Sequence, residues 1–435
     1  MSGGELNDTR KVADIAISVH PELASRRIGD YAWRSRAEEF VRLVESSDCD
    51  LVKSLRFTVR RAMAGTLLGS GQVEEVRLQV EVDEAAVVFV DHPLTPVQQR
   101  NLEKAWNAKV VDRTGLILEI FAARARTREG VLQVELASLN YQLGRLVRSW
   151  THLERQRGGV GFMGGPGERQ LELDRRMIMG KVRSLEKDLE KVRQMRATQR
   201  AGRKKKDIPT VALVGYTNAG KSTLFNRLTE SGVYAADQLF ATLDPTMRLL
   251  QLPGGLRLML SDTVGFVQEL PHELVDAFRA TLEEVIEADL VLHVRDAADP
   301  MQAEQAKVVE DTLEQMGLVG DLAPPVVEVM NKKDLAQGLK SYRAESVEGS
   351  RIALSAITGD GVDELLALLL DWLQQDMHEL HLQLEISDGR SLAFCYQHGS
   401  VISKTVSEEG VDLVVRMNPA DASRFKLCTG KHKLQ

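Results

Sequence analysis

Hydrophobic and polar positions change their spacing several times along the chain, and each spacing predicts a different kind of element. Up to about residue 127, apolar runs of strand length alternate with helical patterns. This alternation predicts βαβ units and a parallel sheet. The predicted strands cover residues 12–18, 51–59, 86–91 and 109–112, and the predicted helices cover residues 37–46, 71–79 and 95–106. We therefore expect an N-terminal α/β domain over residues 1–127.

Two long helical patterns follow. Apolar residues recur at alternating spacings of three and four from Leu132 to Leu153, and again from Ile178 to Val192, which is the pattern of a coiled-coil seam. Residues 158–170 between them, GGVGFMGGPGERQ, contain too much Gly and Pro to continue a helix. The pattern predicts an antiparallel helical hairpin over residues 128–206 with a Gly-rich loop at its tip.

The next apolar run, of strand type, ends at Gly215, and a Gly-rich turn then leads into a helical pattern at Lys221. A strand, such a turn and a helix in this order form a phosphate-binding P-loop. Backbone N–H groups and the helix N-terminus face one anion, Lys221 reaches the β- and γ-phosphates, and the Ser222 hydroxyl binds Mg²⁺. The expected nucleotide contacts are Gly215, Tyr216, Thr217, Asn218, Ala219, Gly220, Lys221, Ser222 and Thr223.

Three later apolar runs each end in a further motif. These motifs are Asp262-Thr263-Val264-Gly265, Asn331-Lys332-Lys333-Asp334 and Ser355-Ala356-Ile357. Asp262 is expected to hold Mg²⁺ through water, and the Gly265 N–H to contact the γ-phosphate. The Asp334 carboxylate suits the ring N–H and exocyclic amine of guanine, and backbone N–H groups of the third motif suit guanine O6. The four motifs in this order predict a GTP-binding G domain over residues 207–375.

Residues 235–246, AADQLFATLDPT, have no clear period, as expected of a switch loop that orders around γ-phosphate and Mg²⁺. Thr242 and Thr246 are the candidates for its Mg²⁺-binding threonine. Phe266 stands where Ras-like proteins carry a Gln that orients water. A phenyl ring cannot do this, so we expect slow intrinsic hydrolysis that a partner accelerates. Asn218 has two interpretations: it helps bind a K⁺ ion, or it merely suits the turn.

Beyond the G domain, strand patterns at residues 379–386, 391–396 and 411–416 and a short helical pattern at 419–427 predict a small C-terminal α/β domain over residues 376–435. The complete prediction is an α/β multidomain protein. It has a P-loop GTPase domain, an N-terminal α/β domain that carries the helical hairpin, and the small C-terminal domain.

Charge and composition restrict the partners. The net charge of −7 over 435 residues argues against DNA or general nucleic-acid binding, but residues 141–207 carry 18 Lys and Arg against 8 Asp and Glu. We expect this hairpin surface to suit RNA phosphates. Cys49, Cys395 and Cys428 lack CxxC spacing, which favours free thiols in a reducing cytoplasm. No signal peptide or stretch of ~18 apolar residues is present, so we expect a soluble protein without stable membrane insertion. We also expect the protein to be a monomer.

The motifs together resemble the HflX family of GTPases. The residues that carry the resemblance are Gly158-Gly159, Gly165-Pro166-Gly167-Glu168, Gln170-Leu171-Glu172 and Asp174-Arg175-Arg176, followed by GYTNAGKSTLFN, FATLDPT and DTVGF. The loop departs from the family pattern, since Phe162-Met163-Gly164 adds a residue and Arg169 replaces Thr. The resemblance runs from about Leu68 through Ile357.

The resemblance implies binding to the large (50S) ribosomal subunit and its 23S rRNA, through the basic hairpin and the Gly-rich loop. It further implies the splitting of stalled or idle 70S ribosomes, notably under heat stress. The resemblance favours Thr242 over Thr246 as the Mg²⁺-binding threonine of the switch loop, so that Ser222 and Thr242 are the expected Mg²⁺ ligands. The expected catalytic residues are Lys221, Thr242 and Gly265. The other switch-loop contacts to nucleotide are Phe240, Ala241, Leu243 and Asp244.

Two other function classes remain open at the level of the sequence. A GTPase of ribosome assembly or RNA modification would leave 70S ribosomes intact. A membrane-associated or scaffolding G protein would need an apolar outer face on the hairpin helices, whereas the visible seam is used by the hairpin itself.

Overall fold

The structure is a computed structural model, and it describes residues 13–26, 29–156, 166–204, 208–230, 240, 246–253, 256–268, 284–315, 317–318, 323–336, 338–375, 377–407, 410–417 and 421–425. These residues fall into two contact units. One unit contains the described residues up to Val192 together with Phe240 and Gln268. The other contains the remaining residues from Arg193 onward.

The described helices and strands alternate through most of the chain. The helices are α1 (Asp30–Glu45), α2 (Ser70–Asp83), α3 (Pro96–Trp106), α4 (Arg113–Arg124), α5 (Arg128–Gln156), α6 (Pro166–Lys204), α7 (Lys221–Thr229), α8 (Gln302–Gln315), α9 (Val362–Gln375) and α10 (Gly389–His398). The strands are β1 (Asp14–Leu23), β2 (Cys49–Val59), β3 (Val87–Val90), β4 (Lys109–Asp112), β5 (Thr210–Gly215), β6 (Thr246–Gln251), β7 (Arg257–Asp262), β8 (Leu290–Asp296), β9 (Val326–Asn331), β10 (Arg351–Ala353), β11 (His378–Leu384), β12 (Gly399–Ser407) and β13 (Gly410–Met417).

The first sheet is parallel, as the sequence predicts, with the strand order β2-β1-β3-β4. Its core includes Ile17, Val88 and Trp106, which are almost completely buried. Strand β1 continues to Leu23, five residues past its predicted end. The predicted end of this strand was wrong. His20 is polar, which suggests that a buried strand has ended, but its side chain is buried in the sheet. Both faces of a parallel sheet are usually covered, so polarity is a poor sign of where such a strand ends.

A buried ionic cluster lies at the carboxyl ends of these strands. Asp91 accepts a hydrogen bond of 2.9 Å from the Arg113 guanidinium, which also pairs with Glu39. Burial alone would raise the pKa of Asp91, but the Arg113 cation, a hydrogen bond from His20 and the Arg36 cation together hold that pKa below its usual value. Asp91 and Arg113 are each at least 97% buried, so the cluster is structural.

The two long helices of the predicted hairpin are present as α5 and α6. Side chains of both helices, among them Leu139 and Leu146 of α5 and Ile178 of α6, line one cavity. The helices are therefore neighbours. Their antiparallel packing stays a prediction, and residues 157–165 of the Gly-rich loop lie outside the described residues. Among the described helices, none is long and apolar enough to cross a membrane.

The second sheet has six strands in the order β10-β9-β8-β5-β7-β6. All neighbouring strands run parallel except β6, which pairs antiparallel with β7. Strand β6 begins at Thr246, the residue opposite Asp262 in the register. The end of the segment that we interpreted as an irregular switch loop is therefore the start of an edge strand.

The third sheet is antiparallel, with the order β11-β13-β12. The prediction of a strand at residues 391–396 was wrong, because this segment belongs to helix α10. The Asp388 side chain accepts a hydrogen bond of 3.0 Å from the Ser391 N–H and caps the helix. Ser391 and Cys395, one turn apart, are both buried. A short apolar run is ambiguous between strand and helix, and here the cap decides it. Residues 421–425 are helical, within the predicted helix at 419–427.

Candidate nucleotide-binding site

The predicted motifs of the G domain meet at one edge of the second sheet. The P-loop follows β5, Asp262 ends β7, and Asn331 ends β9. These strands are parallel, and Leu213 of β5 lies beside Asp262 in the register. The carboxyl ends of parallel strands form the usual binding crevice of an open α/β sheet. The fold therefore places the three motifs around one crevice.

The P-loop turn depends on glycine at its end. Gly220 has φ +90° and forms the N-cap of α7. An added Cβ there would lie 2.1 Å from Asn331 Nδ2, a distance that no side chain can occupy. Asn218 has φ +60°, a left-handed conformation that Asn tolerates better than most residues. This conformation supports the interpretation that Asn218 suits the turn and does not test K⁺ binding.

Lys221 lies inside the P-loop with only 6% of its surface exposed. Its Nζ donates hydrogen bonds to the carbonyl oxygens of Gly215, at 3.0 Å, and Tyr216, at 2.8 Å. Burial lowers the pKa of Lys221 to about 8, and the nearby Asp262 carboxylate opposes that decrease. The lysine is therefore held on the carbonyl side of the loop, next to the crevice.

The Asp262 segment packs directly against the P-loop. Ser222 Oγ donates a hydrogen bond of 2.7 Å to Asp262 Oδ2, and Asp262 is completely buried. A Cβ added at Gly265 would lie 2.8 Å from Thr217 Cγ2 and 3.0 Å from Lys221 Nζ, so this approach requires glycine. Thr263 Oγ1 donates to the carbonyl of Leu213. The second motif is thus fixed within reach of the phosphate-binding loop.

Phe266 is part of the wall of the P-loop. Its carbonyl accepts a hydrogen bond of 2.8 Å from the Thr217 N–H, and its own N–H donates to the Gly215 carbonyl at 3.2 Å. Its side chain is 98% buried. The phenyl ring is therefore almost fully buried, and it has no polar atom with which to orient water as a Gln in this position would do.

The oxygen atoms at the site suit a hard divalent cation. Ser222 Oγ and Asp262 Oδ2 lie side by side, and hydroxyl and carboxylate oxygens are ligands that Mg²⁺ accepts. Among the described residues there is no group of three or more His, Cys, Asp or Glu that would hold a metal by itself. Mg²⁺ bound by so few protein oxygens usually completes its six ligands with waters and the phosphates of a nucleotide.

Asn331 joins the P-loop to the loop from Ser355 to Ile357. Its Nδ2 donates a hydrogen bond of 2.8 Å to the Ala219 carbonyl, and its Oδ1 accepts one of 2.9 Å from the Ala356 N–H. Lys332 Nζ pairs with Asp296 at 2.6 Å and Lys333 Nζ with Asp360 at 2.9 Å. Asp334, the predicted base reader, is exposed at the end of this motif.

The loop at Ser355-Ala356-Ile357 lies next to Asn331. The Ser355 N–H donates to the Asp360 carbonyl at 2.8 Å, and the Ala356 N–H is taken by Asn331. The side chain of Ile357 is 69% exposed. Arg227 of α7 donates hydrogen bonds to the carbonyls of both Ala356 and Ile357. None of the sequence motifs includes this residue. No motif can reveal such a residue, because its partners are backbone atoms.

The predicted switch-loop contacts are described only in part. Phe240 belongs to the first contact unit, where its ring packs edge-to-face against Phe121 with ring centroids 4.5 Å apart. Ala241, Thr242, Leu243 and Asp244 lie outside the described residues. Their contacts with nucleotide stay predictions.

The second sheet carries a P-loop after β5, an Asp at the end of the neighbouring strand β7, and an Asn-Lys-x-Asp motif that begins at the end of β9. This combination defines the class of P-loop GTPases. Comparison with known proteins extends this assignment beyond the G domain. Residues 34–122 match the family described as GTP-binding GTPase N-terminal, and residues 124–203 match the GTP-binding GTPase middle region. Residues 210–332 match the family described as 50S ribosome-binding GTPase, and residues 341–434 match the HflX C-terminal domain.

Relatives that match most of the chain support the same assignment. A GTPase HflX from Magnetococcus marinus is 52% identical over 89% of this chain and 89% of its own length. A GTPase HflX from Escherichia coli is 45% identical over 89% of this chain and 91% of its own length. The chain belongs to the HflX family of GTPases. Among solved structures, a GTP-binding protein from Sulfolobus solfataricus in complex with GDP matches 83% of this chain and 99% of its own, at 22% identity and a TM-score of 0.44.

Proposed function

We propose that this GTPase binds the 50S ribosomal subunit in its GTP form and splits 70S ribosomes that are stalled or idle, for example under heat stress. It acts as a monomer in the cytoplasm. One observation carries the proposal: a chain of this family contains both the described P-loop GTPase motifs and a long helix, α6, with exposed Lys and Arg side chains. The matching family description of residues 210–332 supports the 50S subunit as the target.

The site residues have distinct proposed roles. Lys221 leaves its two carbonyl partners to contact the β- and γ-phosphates, and the P-loop N–H groups from Gly215 to Thr223 surround the phosphates. Ser222 and Thr242 hold Mg²⁺, with Asp262 close enough to Ser222 to orient it. When bound, Mg²⁺ supplies positive charge that stabilises the negative charge on the transferred phosphoryl group. On the base side, the motif from Asn331 to Asp334 and the loop from Ser355 to Ile357 recognise guanine.

Gly265 senses the γ-phosphate in this proposal. Its backbone lies so close to the P-loop that an added Cβ would collide with Thr217 and would lie only 3.0 Å from Lys221 Nζ. A phosphate held by Lys221 would therefore meet the Gly265 N–H, and loss of that phosphate would release this segment. The energy for switching comes from the contacts that exist only in the GTP state.

Hydrolysis by the isolated protein is slow in this proposal. The buried ring of Phe266 offers no polar atom to the crevice, and Lys221, Thr242 and Gly265 stabilise charge without positioning water. Contact with the ribosome supplies the positioning of the attacking water molecule. The side chain of Asn218 remains available for a K⁺ ion, and comparing hydrolysis rates in K⁺ and Na⁺ buffers tests that role.

The RNA-binding surface in this proposal is the exposed side of α6. Arg175, Arg176, Lys181, Arg183, Lys187 and Lys191 are all exposed there. Arg145 of α5, by contrast, pairs with Tyr141 and Gln99 and lies 3.6 Å from Asp112. We therefore assign contacts with 23S rRNA phosphates to α6 and the Gly-rich loop and not to Arg145.

Sedimentation in sucrose gradients tests the proposal. Purified 70S ribosomes are mixed with the protein and GTP, a non-hydrolysable GTP analogue or GDP. We expect free subunits, and protein on the 50S peak, with both GTP forms and not with GDP. Intact 70S particles with the protein at the top of the gradient would contradict the proposal. Binding to immature particles or naked RNA, with 70S left intact, would favour a role in ribosome assembly or RNA modification.

A matched pair of variants locates the RNA contact. Replacing Arg175, Arg176 and Arg183 with Gln removes three exposed cations from α6, and we expect affinity for 50S subunits to fall by about tenfold or more at physiological salt. Replacing Arg56, Arg60 and Arg61 with Gln removes the same charge from another exposed place and should change affinity little. Equal effects would indicate general electrostatic attraction and not a specific surface.

A further inference from the structure

The base-recognition loop from Ser355 to Ile357 has few amide groups left for a ligand. The Ser355 N–H is bonded to the Asp360 carbonyl, and the Thr358 N–H donates to Ser355 Oγ at 3.1 Å. The Ala356 N–H is bonded to Asn331. Within these four residues, the amide that remains is that of Ile357, whose side chain is exposed to solvent. The Ile357 N–H is therefore the donor that guanine O6 would meet.

The direction of that N–H depends on the peptide plane between Ala356 and Ile357. A trans peptide is planar, and its C=O and N–H groups point in opposite directions. The described chain contains no cis peptide bonds. Fixing the carbonyl of Ala356 on one side therefore fixes the direction of the Ile357 N–H on the other.

Arg227 fixes that carbonyl. Its Nε donates a hydrogen bond of 3.0 Å to the Ala356 oxygen, and its Nη2 donates to the Ile357 oxygen. A guanidinium is planar and carries its donors in a fixed arrangement, so two carbonyls held by one Arg cannot rotate independently. A charged donor also polarises the peptide and makes its N–H a stronger donor.

The other contacts of the loop cannot perform this task. The bonds from Ser355 and Thr358 are local and close the turn on itself. Asn331 holds the preceding peptide, through the Ala356 N–H. Arg227 lies directly against Gly359, since an added Cβ would be in van der Waals contact with the guanidinium carbon at 3.5 Å. Arg227 thus connects the loop to α7, the helix that begins at Lys221.

We propose that Arg227 is a positioning residue for base recognition, which aims the Ile357 N–H at guanine O6 from the helix that follows the P-loop. The inference rests on the proposed guanine pocket and goes beyond its motifs. It assigns recognition of O6 to an Arg–peptide unit, while recognition of the 2-amine belongs to Asp334.

Two nucleotide analogues separate these contacts. In 6-thio-GDP a sulfur, which is a weaker acceptor, replaces O6, and in IDP the 2-amine is missing. Dissociation constants of GDP and both analogues are measured by calorimetry at pH 6.5 for the wild type, Arg227→Ala, Arg227→Lys and Arg343→Ala. Arg343 is the control because it is an exposed Arg with a carboxylate and a carbonyl partner on α9.

The wild type should bind GDP more tightly than either analogue. In Arg227→Ala we expect GDP to bind about tenfold more weakly, and the preference for GDP over 6-thio-GDP to shrink towards one. The preference for GDP over IDP should stay at the wild-type value. Arg227→Lys should recover part of the GDP affinity, because an ammonium can donate to one of the two carbonyls, and Arg343→Ala should match the wild type.

Two results would overturn the inference in different ways. If Arg227→Ala keeps the wild-type preference for GDP over 6-thio-GDP, Arg227 does not aim the reading group, even where overall affinity falls. If the wild type itself does not distinguish GDP from either analogue, the proposed guanine pocket fails, and the role of Arg227 fails with it.

Discussion

The side-chain amide of Asn331 donates a hydrogen bond of 2.8 Å to the carbonyl oxygen of Ala219. The same side chain accepts from the Ala356 N–H. Asn331 is 98% buried, so neither bond is easily replaced by water. One residue therefore sets the distance between the P-loop and the loop from Ser355 to Ile357.

Replacing Asn331 with Ala should weaken GDP binding by about 10- to 100-fold, because two buried backbone groups lose their partner and each loss costs about 1 kcal/mol or more. Calorimetric titration with GDP measures the change. Asn101→Ala is the control, since Asn101 also donates to a backbone carbonyl, that of Gly65, but in an exposed place. A dissociation constant within about twofold of the wild type for Asn331→Ala would contradict this role.

Replacing Phe266 with Gln should not create a faster GTPase, although it restores the residue type that orients water in Ras-like proteins. The ring is 98% buried, and an amide in its place would lose apolar contacts, at a cost of about 3 kcal/mol. We expect lower thermal stability and an unchanged or lower rate of single-turnover GTP hydrolysis. Phe266→Leu, which keeps an apolar side chain, should retain most of both. A rate increase in Phe266→Gln would show that residue 266 reaches the crevice.

The motifs of the G domain were predictable because each follows from local chemistry. Gly220 must adopt a positive φ and allow Asn331 to approach, and Lys221 must begin a helix after a strand. These requirements restrict which residue types can occur at the closely spaced positions of each motif. The parallel N-terminal sheet was predictable for a similar reason, since period and length distinguish its strands from its helices.

Other features depend on contacts between distant residues, which a single sequence does not show. Arg227 binds backbone carbonyls 129 and 130 positions away, so no residue type marks the pair. Arg145 resembles its basic neighbours in sequence but is held by Tyr141 and Gln99. Helix α10 was predicted as a strand because six residues with mixed apolar character fit both periods.

Replacing Arg113 with Met should destabilise the N-terminal α/β domain by about 3 to 5 kcal/mol, because it leaves the carboxylate of Asp91 buried without its main cation. Thermal and denaturant unfolding measure the effect. The control Arg77→Met removes a partly exposed Arg that pairs with the exposed Glu74 and Glu81 and should leave stability nearly unchanged. Adding Asp91→Asn to Arg113→Met should recover part of the loss.

The same pair predicts a pH dependence. In the wild type the pKa of Asp91 lies below its usual value, so its contribution to stability is present above pH ~4 and is lost as pH falls through the folded-state pKa. Without the Arg113 cation that pKa should rise, because the effect of burial is then opposed only by His20 and Arg36. The cost of Arg113→Met should therefore be smaller at pH 4 than at pH 7. If Arg113→Met lowers the free energy of unfolding equally at both pH values, the loss of the ion pair is not the cause of the destabilisation.

A last prediction concerns His293, which lies on β8 in the second sheet and is 97% buried. Burial lowers its pKa to about 4, with a further decrease from the Arg295 cation and an opposing effect of Glu328. The unfolded chain therefore binds a proton on this residue between pH ~6.5 and ~4, while the folded protein does not. Stability must fall as the pH decreases through this window, because folding then requires the loss of that proton.

His293→Gln removes the titrating group and keeps a polar side chain. The wild type should lose more stability than this variant between pH 7 and pH 5, by about 2 kcal/mol. Scanning calorimetry of the full chain measures the difference, and the transition that moves on addition of GDP identifies the nucleotide-binding part. His381→Gln, at an exposed position of β11, removes a histidine without changing burial and should follow the wild type. If His293→Gln also follows the wild type, His293 accepts its proton within the folded protein, and the acid sensitivity of this sheet has another source.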